Sequence, residues 1–185
     1  VWGLAVVLAF MSSRPVFKYY YDATHTEANT LTPNSQEIIN RLDGGLTITT
    51  YVNILDQYNW LGFPKNYNDD IRRFEQYTRF KPEIKMKYVL YYDTVKNDYL
   101  ERAFPGMSYE EKAKKVIEME KLNPKKILTP EQIRAKIDLR TTEGNRCVRL
   151  LERESGEKTF LRLYDDYQIF PSESEITAAL KRMVM

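Results

Sequence analysis

The sequence predicts an α/β fold in which a mixed β-sheet is flanked by helices. Three observations support this prediction. Runs that favour β-structure alternate with segments whose apolar residues recur at helical spacing. Several of these helical segments open with side chains that cap a helix N-terminus. The last two strands are separated by Ser155-Gly156, a hairpin signal, and 185 residues are enough for one domain with a substantial core.

The first helix and the first strand are predicted close together. Thr32 is placed to accept hydrogen bonds from the free backbone N–H groups of a helix start, and Pro33 suits the first helical position. An apolar stripe follows, and Gly44-Gly45 allows the chain to leave the helix with a left-handed turn. The β-rich run 46–53 is the first strand.

The middle of the chain continues the alternation. A helix is predicted over 67–80, with Asp69-Asp70 favouring its N-terminus, and a strand over 84–92. Capping boxes at Ser108 and Thr129 then predict two more helices.

The chain closes with two strands, 146–154 and 158–164, and a helix that opens at the capping box of Ser172. The element order is β-α-β-α-β-β-α, and right-handed crossovers make the first two strands parallel. This order is thioredoxin-like: a three-layer arrangement with helices flanking a mixed four-stranded sheet, elaborated by an extra helix within 108–137. The residues predicted to share one sheet core are Leu46, Ile48, Val52, Leu90, Val148, Leu150 and Leu163.

Composition excludes several classes of function. The 28 basic and 26 acidic residues nearly balance, and the basic clusters alternate with Glu on helices, so no nucleic-acid partner is predicted. Cys147 is the single cysteine, which excludes an internal disulfide and any CxxC motif. His25 is the single histidine, which excludes a His-based metal site. Without a P-loop, GxGxxG or GxSxG motif, no nucleotide site and no cofactor are predicted.

Segment 22–53 contains Asp-Ala-Thr, then Leu-Thr-Pro, then Ile-Ile-Asn-Arg-Leu, then Leu-Thr-Ile-Thr-Thr-Tyr. This succession resembles the start of the extracytoplasmic domain of the GldG-like ABC-transporter auxiliary family. Residues 143–163 resemble the late β-hairpin of that family, and 172–183 resemble its last helix. The resemblance implies a non-catalytic accessory domain that contacts a transporter permease or other membrane-complex subunits. Some members of the family serve gliding motility in bacteria.

The apolar segment 1–11 has three interpretations: the trimmed half of a membrane helix, the remnant of a signal peptide, or a buried segment. The resemblance favours the membrane helix, followed by a linker over 12–30 and an extracytoplasmic domain over 31–185 that belongs to a longer chain. Arg14 and Lys18 argue against this orientation, because positive residues beside a membrane helix are typical of the cytoplasmic side.

The loop after the first strand is where a thioredoxin-like enzyme carries its reactive group. Here it contains no Cys, Ser or His, and Glu143-Gly144-Asn145 stands where such enzymes have a proline, so no catalytic residue is predicted. The loop instead contains Tyr58, Trp60 and Phe63, which either cover the core or contact a partner. Two alternatives stay open: a small-molecule or glycan-binding module that uses these aromatics, and an enzyme that uses Cys147 as a lone thiol.

Overall fold

The computed structural model describes residues 2–13, 30–162 and 170–184. The helices are α1 (Trp2–Ser13), α2 (Pro33–Asn40), α3 (Tyr67–Arg73), α4 (Glu75–Phe80), α5 (Asp98–Ala103), α6 (Tyr109–Met119), α7 (Pro130–Arg134), α8 (Leu139–Glu143) and α9 (Glu173–Lys181). The strands are β1 (Leu46–Asn53), β2 (Ile84–Tyr91), β3 (Ile127–Leu128), β4 (Val148–Arg153) and β5 (Lys158–Arg162). Short 3-10 turns lie at Asn59–Gly62, Pro64–Asn66 and Pro124–Lys126.

Within the described residues, the strands form one five-stranded mixed sheet in the order β3-β2-β1-β4-β5. β1 is central, runs parallel to β2 and antiparallel to β4. β3 is parallel to β2, and β5 is antiparallel to β4. The α/β class and the mixed sheet are therefore as predicted. The count of four strands was wrong, because β3 has only two residues and so carries no periodic pattern in the sequence.

The predicted helix starts are confirmed. The side chains of Ser108, Thr129 and Ser172 each accept a hydrogen bond from the backbone N–H three residues later. The backbone N–H of each then donates the reciprocal bond to the side chain of that later residue, which completes a capping box. Thr32 caps α2 through the backbone N–H of Ser35. Local hydrogen bonding at these positions specifies where each helix begins.

The predicted helix over 67–80 is interrupted. Phe74 leaves the helical region, with φ −94° and ψ 5°, and separates α3 from α4 while its side chain is buried. The helices α5 and α8 were not predicted. Each has only five or six residues, too few to show a helical repeat in the sequence.

The prediction of a single sheet core was wrong. Residues paired across strands share a face, and the register places Leu46, Ile48 and Val52 with Leu151 and Leu90, but Val148 and Leu150 on the opposite face. The apolar side chains accordingly divide into separate clusters on the two faces. Leu163 lies outside the described residues.

The helix α1 exposes apolar side chains, among them Leu4, Val6 and Val7. Its 12 residues extend about 18 Å, against a hydrocarbon core of about 30 Å. Within the ranges that the structure describes, no helix is long and apolar enough to cross a membrane. Residues 14–29, which make up most of the predicted linker and include His25, are not among those described.

Candidate functional site

The carboxyl end of β1 is held by two buried polar side chains. The Asn53 amide donates to the backbone oxygens of Asp93 and Asn145, both at 3.0 Å, and its oxygen accepts from Leu55 N at 3.1 Å. Asp56 accepts from the backbone N–H of Cys147 at 2.7 Å. These bonds tie the loop after β1 to the loop after β2 and to the start of β4. The polar atoms of the Asn53 and Asp56 side chains therefore serve to hold these loops together.

Asn145 lies before β4, where a thioredoxin-like enzyme would have a proline. It has a positive φ of 56° and follows Gly144, whose φ is 60°. Its side chain donates to Thr94 O at 2.9 Å. An asparagine tolerates this left-handed backbone better than most residues. The segment is thus a turn that presents Asn145 to the neighbouring loops.

The Cys147 thiol is buried beside Asp56. Burial raises the pKa of the Cys147 thiol well above its ordinary value, and the Asp56 carboxylate raises it further. The hydroxyl of Tyr91 is buried nearby and has no hydrogen-bond partner among the described residues. Its pKa is raised by burial, and also by Cys147, Asp56 and Asp93. A thiol in these surroundings stays protonated near neutral pH and is a poor nucleophile.

Asp93, at the end of β2, has a buried carboxylate, and the arginine that pairs with it is partly exposed to solvent. Arg134 donates to both carboxylate oxygens, at 2.9 and 2.6 Å, and Thr94 N donates to one of them at 2.7 Å. The exposed fraction is 1% for the Asp93 side chain and 44% for Arg134. The described residues contain no group of three or more His, Cys, Asp or Glu side chains that could hold a metal ion.

The three aromatic residues of the loop after β1 differ in their surroundings. Phe63 is 2% exposed and belongs to the core cluster under this loop, so its side chain offers no surface to a partner. The prediction that Phe63 contacts a partner was therefore wrong, because this side chain covers the core. Tyr58 is half-buried against the same cluster. Trp60 is 38% exposed. The loop itself lies tightly on β1, because a Cβ at Gly62 would overlap the Val52 side chain.

Trp60 is part of a small surface cluster, which we call the aromatic patch and define by Trp60, Phe170 and Arg73. The rings of Trp60 and Phe170 meet edge to face, with centroids 5.9 Å apart and planes at 77°. The guanidinium of Arg73 lies 3.2 Å from the centroid of Phe170. A cation on the face of a ring and an edge-to-face pair are both favourable contacts. Sequence reasoning missed Phe170 and Arg73, because neither is near Trp60 in the chain.

A groove lies beside the same loop and was also missed. Leu100, Phe104 and Val116 line it from α5 and α6, and its volume is about 340 Å³. Tyr99 and Met119, exposed at 74% and 67%, stand on its rim. The remaining lining residues are polar: Asp56, Gln57, Asn59, Asn97 and Glu120. A lining that combines apolar side chains with a few polar groups is typical of small-molecule sites.

Compared with models of known protein families, with characterised proteins and with solved structures, the chain matches none.

Proposed function

We propose that this chain is a non-catalytic accessory domain of an ABC-type transport system, held at the extracytoplasmic side of the membrane. It acts through contacts with the permease or other subunits of the membrane complex. Its resemblance to the GldG-like family makes a gliding-motility system one candidate for this complex. The observation that carries this proposal is the aromatic patch. Trp60 is partly exposed and packs edge to face on Phe170, whose ring in turn carries the guanidinium of Arg73. A tryptophan held in this way is the kind of rigid anchor that dominates protein interfaces.

The strand arrangement supports a thioredoxin-like assignment. β2, β1, β4 and β5 are neighbours in this order, with one parallel pair followed by two antiparallel pairs. This is the sheet that the order β-α-β-α-β-β-α predicts, and β3 is then an addition at the edge. In such a sheet the loop after β1 opens at the carboxyl edge, where open α/β sheets usually bind their ligands.

The non-catalytic assignment is supported by what occupies this edge. The side chains of Asn53 and Asp56 are engaged in buried hydrogen bonds that join loops. The Cys147 thiol is buried and its pKa is raised. The exposed apolar helix α1 supports the membrane part of the proposal, as one element of an anchor.

The test is the substitution Trp60→Ala in the full-length protein in its native membranes. Loss of the anchor should reduce the amount of permease that copurifies with the detergent-solubilised protein. The melting temperature should stay unchanged, because Trp60 is partly exposed and lies outside the core clusters. Phe80→Ala is the matched control, since Phe80 is 37% exposed and is not part of the patch.

Two results would contradict the proposal. One is recovery of the permease with Trp60→Ala at the level of the unmodified protein. The other is equal loss with Phe80→Ala, which would show that the effect is not specific to the patch. If Trp60→Ala unfolds the domain, the tryptophan is core cover and the proposed contact is wrong.

A second candidate function is suggested by the groove between α5 and α6. Tyr99 and Met119 on its rim are highly exposed, and amide and carboxylate side chains contribute to its lining. This arrangement favours a small-molecule or glycan-binding module. A ligand that binds the native state raises the melting temperature, so a thermal-shift screen of glycans would identify it. The shift should disappear in Tyr99→Ala and persist in Trp60→Ala.

The lone-thiol enzyme can be separated from both candidates by alkylation. With its thiol buried and its pKa raised, Cys147 should react with iodoacetamide only after unfolding. A mass shift in the native protein at the rate of a free thiol would support the enzyme instead.

A further inference from the structure

The strand β2 is only partly covered on its outer side. It pairs with β1 over its whole length, but β3 pairs only with Leu90 and Tyr91. Among the described residues, no strand lies beside the segment 84–89 on this side, and we call this segment the β2 edge. An open edge presents backbone N–H and C=O groups that can pair with another strand.

The unpaired backbone groups can be identified from the ladder. Tyr91 O accepts from Ile54 N on the β1 side, whereas Tyr92 N donates to Leu128 O on the opposite side. Because alternate residues of a strand direct their backbone groups to opposite sides, Met86 and Tyr88 direct theirs outwards. Within the described part of the chain, no strand pairs with them there. These two residues offer two donors and two acceptors to an incoming strand.

The β2 edge also carries charge. Lys85 and Lys87 are exposed and have no ion-pair partner among the described residues. They stand on one face of the sheet, opposite Thr47 and Thr49 of β1, and two residues along a strand separate them by about 7 Å. The other face is apolar, because Met86 is packed against the core and Tyr88 is stacked on Tyr67 with ring centroids 3.9 Å apart.

We infer that the β2 edge binds an extended segment of a partner protein that carries acidic residues at alternate positions. Its carboxylates would face Lys85 and Lys87, its other side chains would lie beside Met86 and Tyr88, and its backbone would continue the sheet. A second copy of this chain fits less well. Pairing of two β2 edges would bring the lysines of both copies together on one face, and like charges on neighbouring strands are destabilising. This site is separate from the aromatic patch and does not depend on it.

The probes are short synthetic peptides with blocked ends that alternate valine with glutamate, or valine with lysine. The glutamate peptide should bind, as measured by fluorescence anisotropy, and should slow hydrogen exchange of the Met86 and Tyr88 amides. The lysine peptide should not bind. The alternate amides of the glutamate peptide form two sets, and only one set faces the β2 edge. N-methylation of that set should abolish binding, whereas N-methylation of the other set should not.

The double substitution K85E/K87E should weaken binding of the glutamate peptide by about tenfold or more and should create binding of the lysine peptide. The matched control is K136E/K181E, which changes the net charge equally at two other exposed lysines outside the sheet. It should alter binding only slightly. Trp60→Ala should leave peptide binding unchanged, so this result is independent of the proposed function.

Several outcomes would overturn the inference. If neither peptide binds, the lysines serve only to prevent edge pairing. If the control variant weakens binding as much as K85E/K87E, the attraction is general charge and not the β2 edge. If the Met86 and Tyr88 amides become protected with rising protein concentration alone, the occupant is a second copy.

Discussion

Two buried carboxylates of this domain have arginine partners in different surroundings. Between β4 and α3, Arg149 and Asp70 are 1% and 2% exposed and are joined at 2.7 Å. At the carboxyl end, Asp93 is equally buried, but 44% of its partner Arg134 is exposed. The first pair is sealed from water and the second is half open. The difference shows that water can solvate the cation of the second pair but not that of the first.

The sealed pair is surrounded by further partners. Arg149 also donates to Thr50 Oγ1 at 2.8 Å and lies over the ring of Phe74, and Tyr88 donates to Asp70 at 2.7 Å. Burial and the Asp70 carboxylate raise the pKa of Tyr88 and keep its hydroxyl as a donor. These contacts join α3 to three strands. A buried charge is tolerated only when it is paired and hydrogen-bonded, so we expect the sealed pair to be sensitive to the loss of either member.

The largest effect is expected from Asp70→Ala. It leaves the guanidinium of Arg149 buried without its counter-charge, and breaking a buried pair in this way costs about 3–5 kcal/mol. Urea denaturation measures the loss. The control is the double substitution D70L/R149M, which removes both charges and should recover most of the stability. If the free energy of unfolding of Asp70→Ala lies within about 1 kcal/mol of the parent value, water reaches the pair.

The next effect compares the two faces of β4. Leu151 lies in the core cluster on the face of Arg149, so Leu151→Ala should lose about 2–5 kcal/mol through cavity formation. Leu150 is on the opposite face, outside the three core clusters, and Leu150→Ala should cost less. Equal melting temperatures for the two variants would contradict the expectation that Leu151 is the more tightly packed of the two.

A smaller effect is expected from Asp93→Ala at the half-open pair. It removes the acceptor of Thr94 N and of Arg134, and loss of such hydrogen bonds costs about 1–3 kcal/mol. Because water can solvate the freed Arg134, the loss should be smaller than for Asp70→Ala. It should also shrink at high salt, which screens exposed charges more than buried ones. A loss as large as that of Asp70→Ala would remove the distinction between the two pairs.

The smallest effect concerns Glu173, a half-buried residue whose carboxylate accepts from the Thr32 N–H at 2.9 Å and joins α9 to α2. Burial acts to raise the pKa of Glu173, but hydrogen bonds from Ser35 and Thr32 outweigh it and lower the pKa below its ordinary 4.5. A lowered pKa in the folded state means that the stabilisation is present above pH 4.5 and is lost as the pH falls through the folded value.

The stability difference between the parent and Glu173→Gln should therefore be constant near neutral pH and should vanish in acid. Chemical denaturation at a series of pH values measures it. A difference that grows as the pH falls would show that the carboxylate is not stabilised by these bonds.

The elements that were predicted correctly are those specified by local chemistry. The strand 46–53 matches β1, and the capping boxes at Ser108, Thr129 and Ser172 each open a helix. The short elements α5, α8 and β3 were missed, because a few residues show no periodicity and are held by packing and by neighbouring strands.

The candidate site could be predicted only in part. Trp60 is a partly exposed aromatic in the loop where a contact residue was expected, but Phe63 in the same loop is core. Phe170, which packs against Trp60, comes from a distant part of the chain, and Arg73 joins the patch only by lying over the ring of Phe170. Residue type alone does not distinguish an aromatic that covers the core from one that faces solvent. An aromatic side chain gains free energy from burial whether the fold or a binding partner covers it.

The sequence by itself determined the α/β class, the helix starts and the order of the main elements, because capping and periodicity act between residues close in the chain. Tertiary structure alone decided that Arg149 is buried opposite Asp70 and that Leu150 and Leu151 belong to different faces. It also decided that, of the strands that the structure describes, none pairs with the segment 84–89 on the outer side of β2. Each of these depends on strand register and on which elements become neighbours. Such contacts join residues far apart in the chain, where local pattern carries no information.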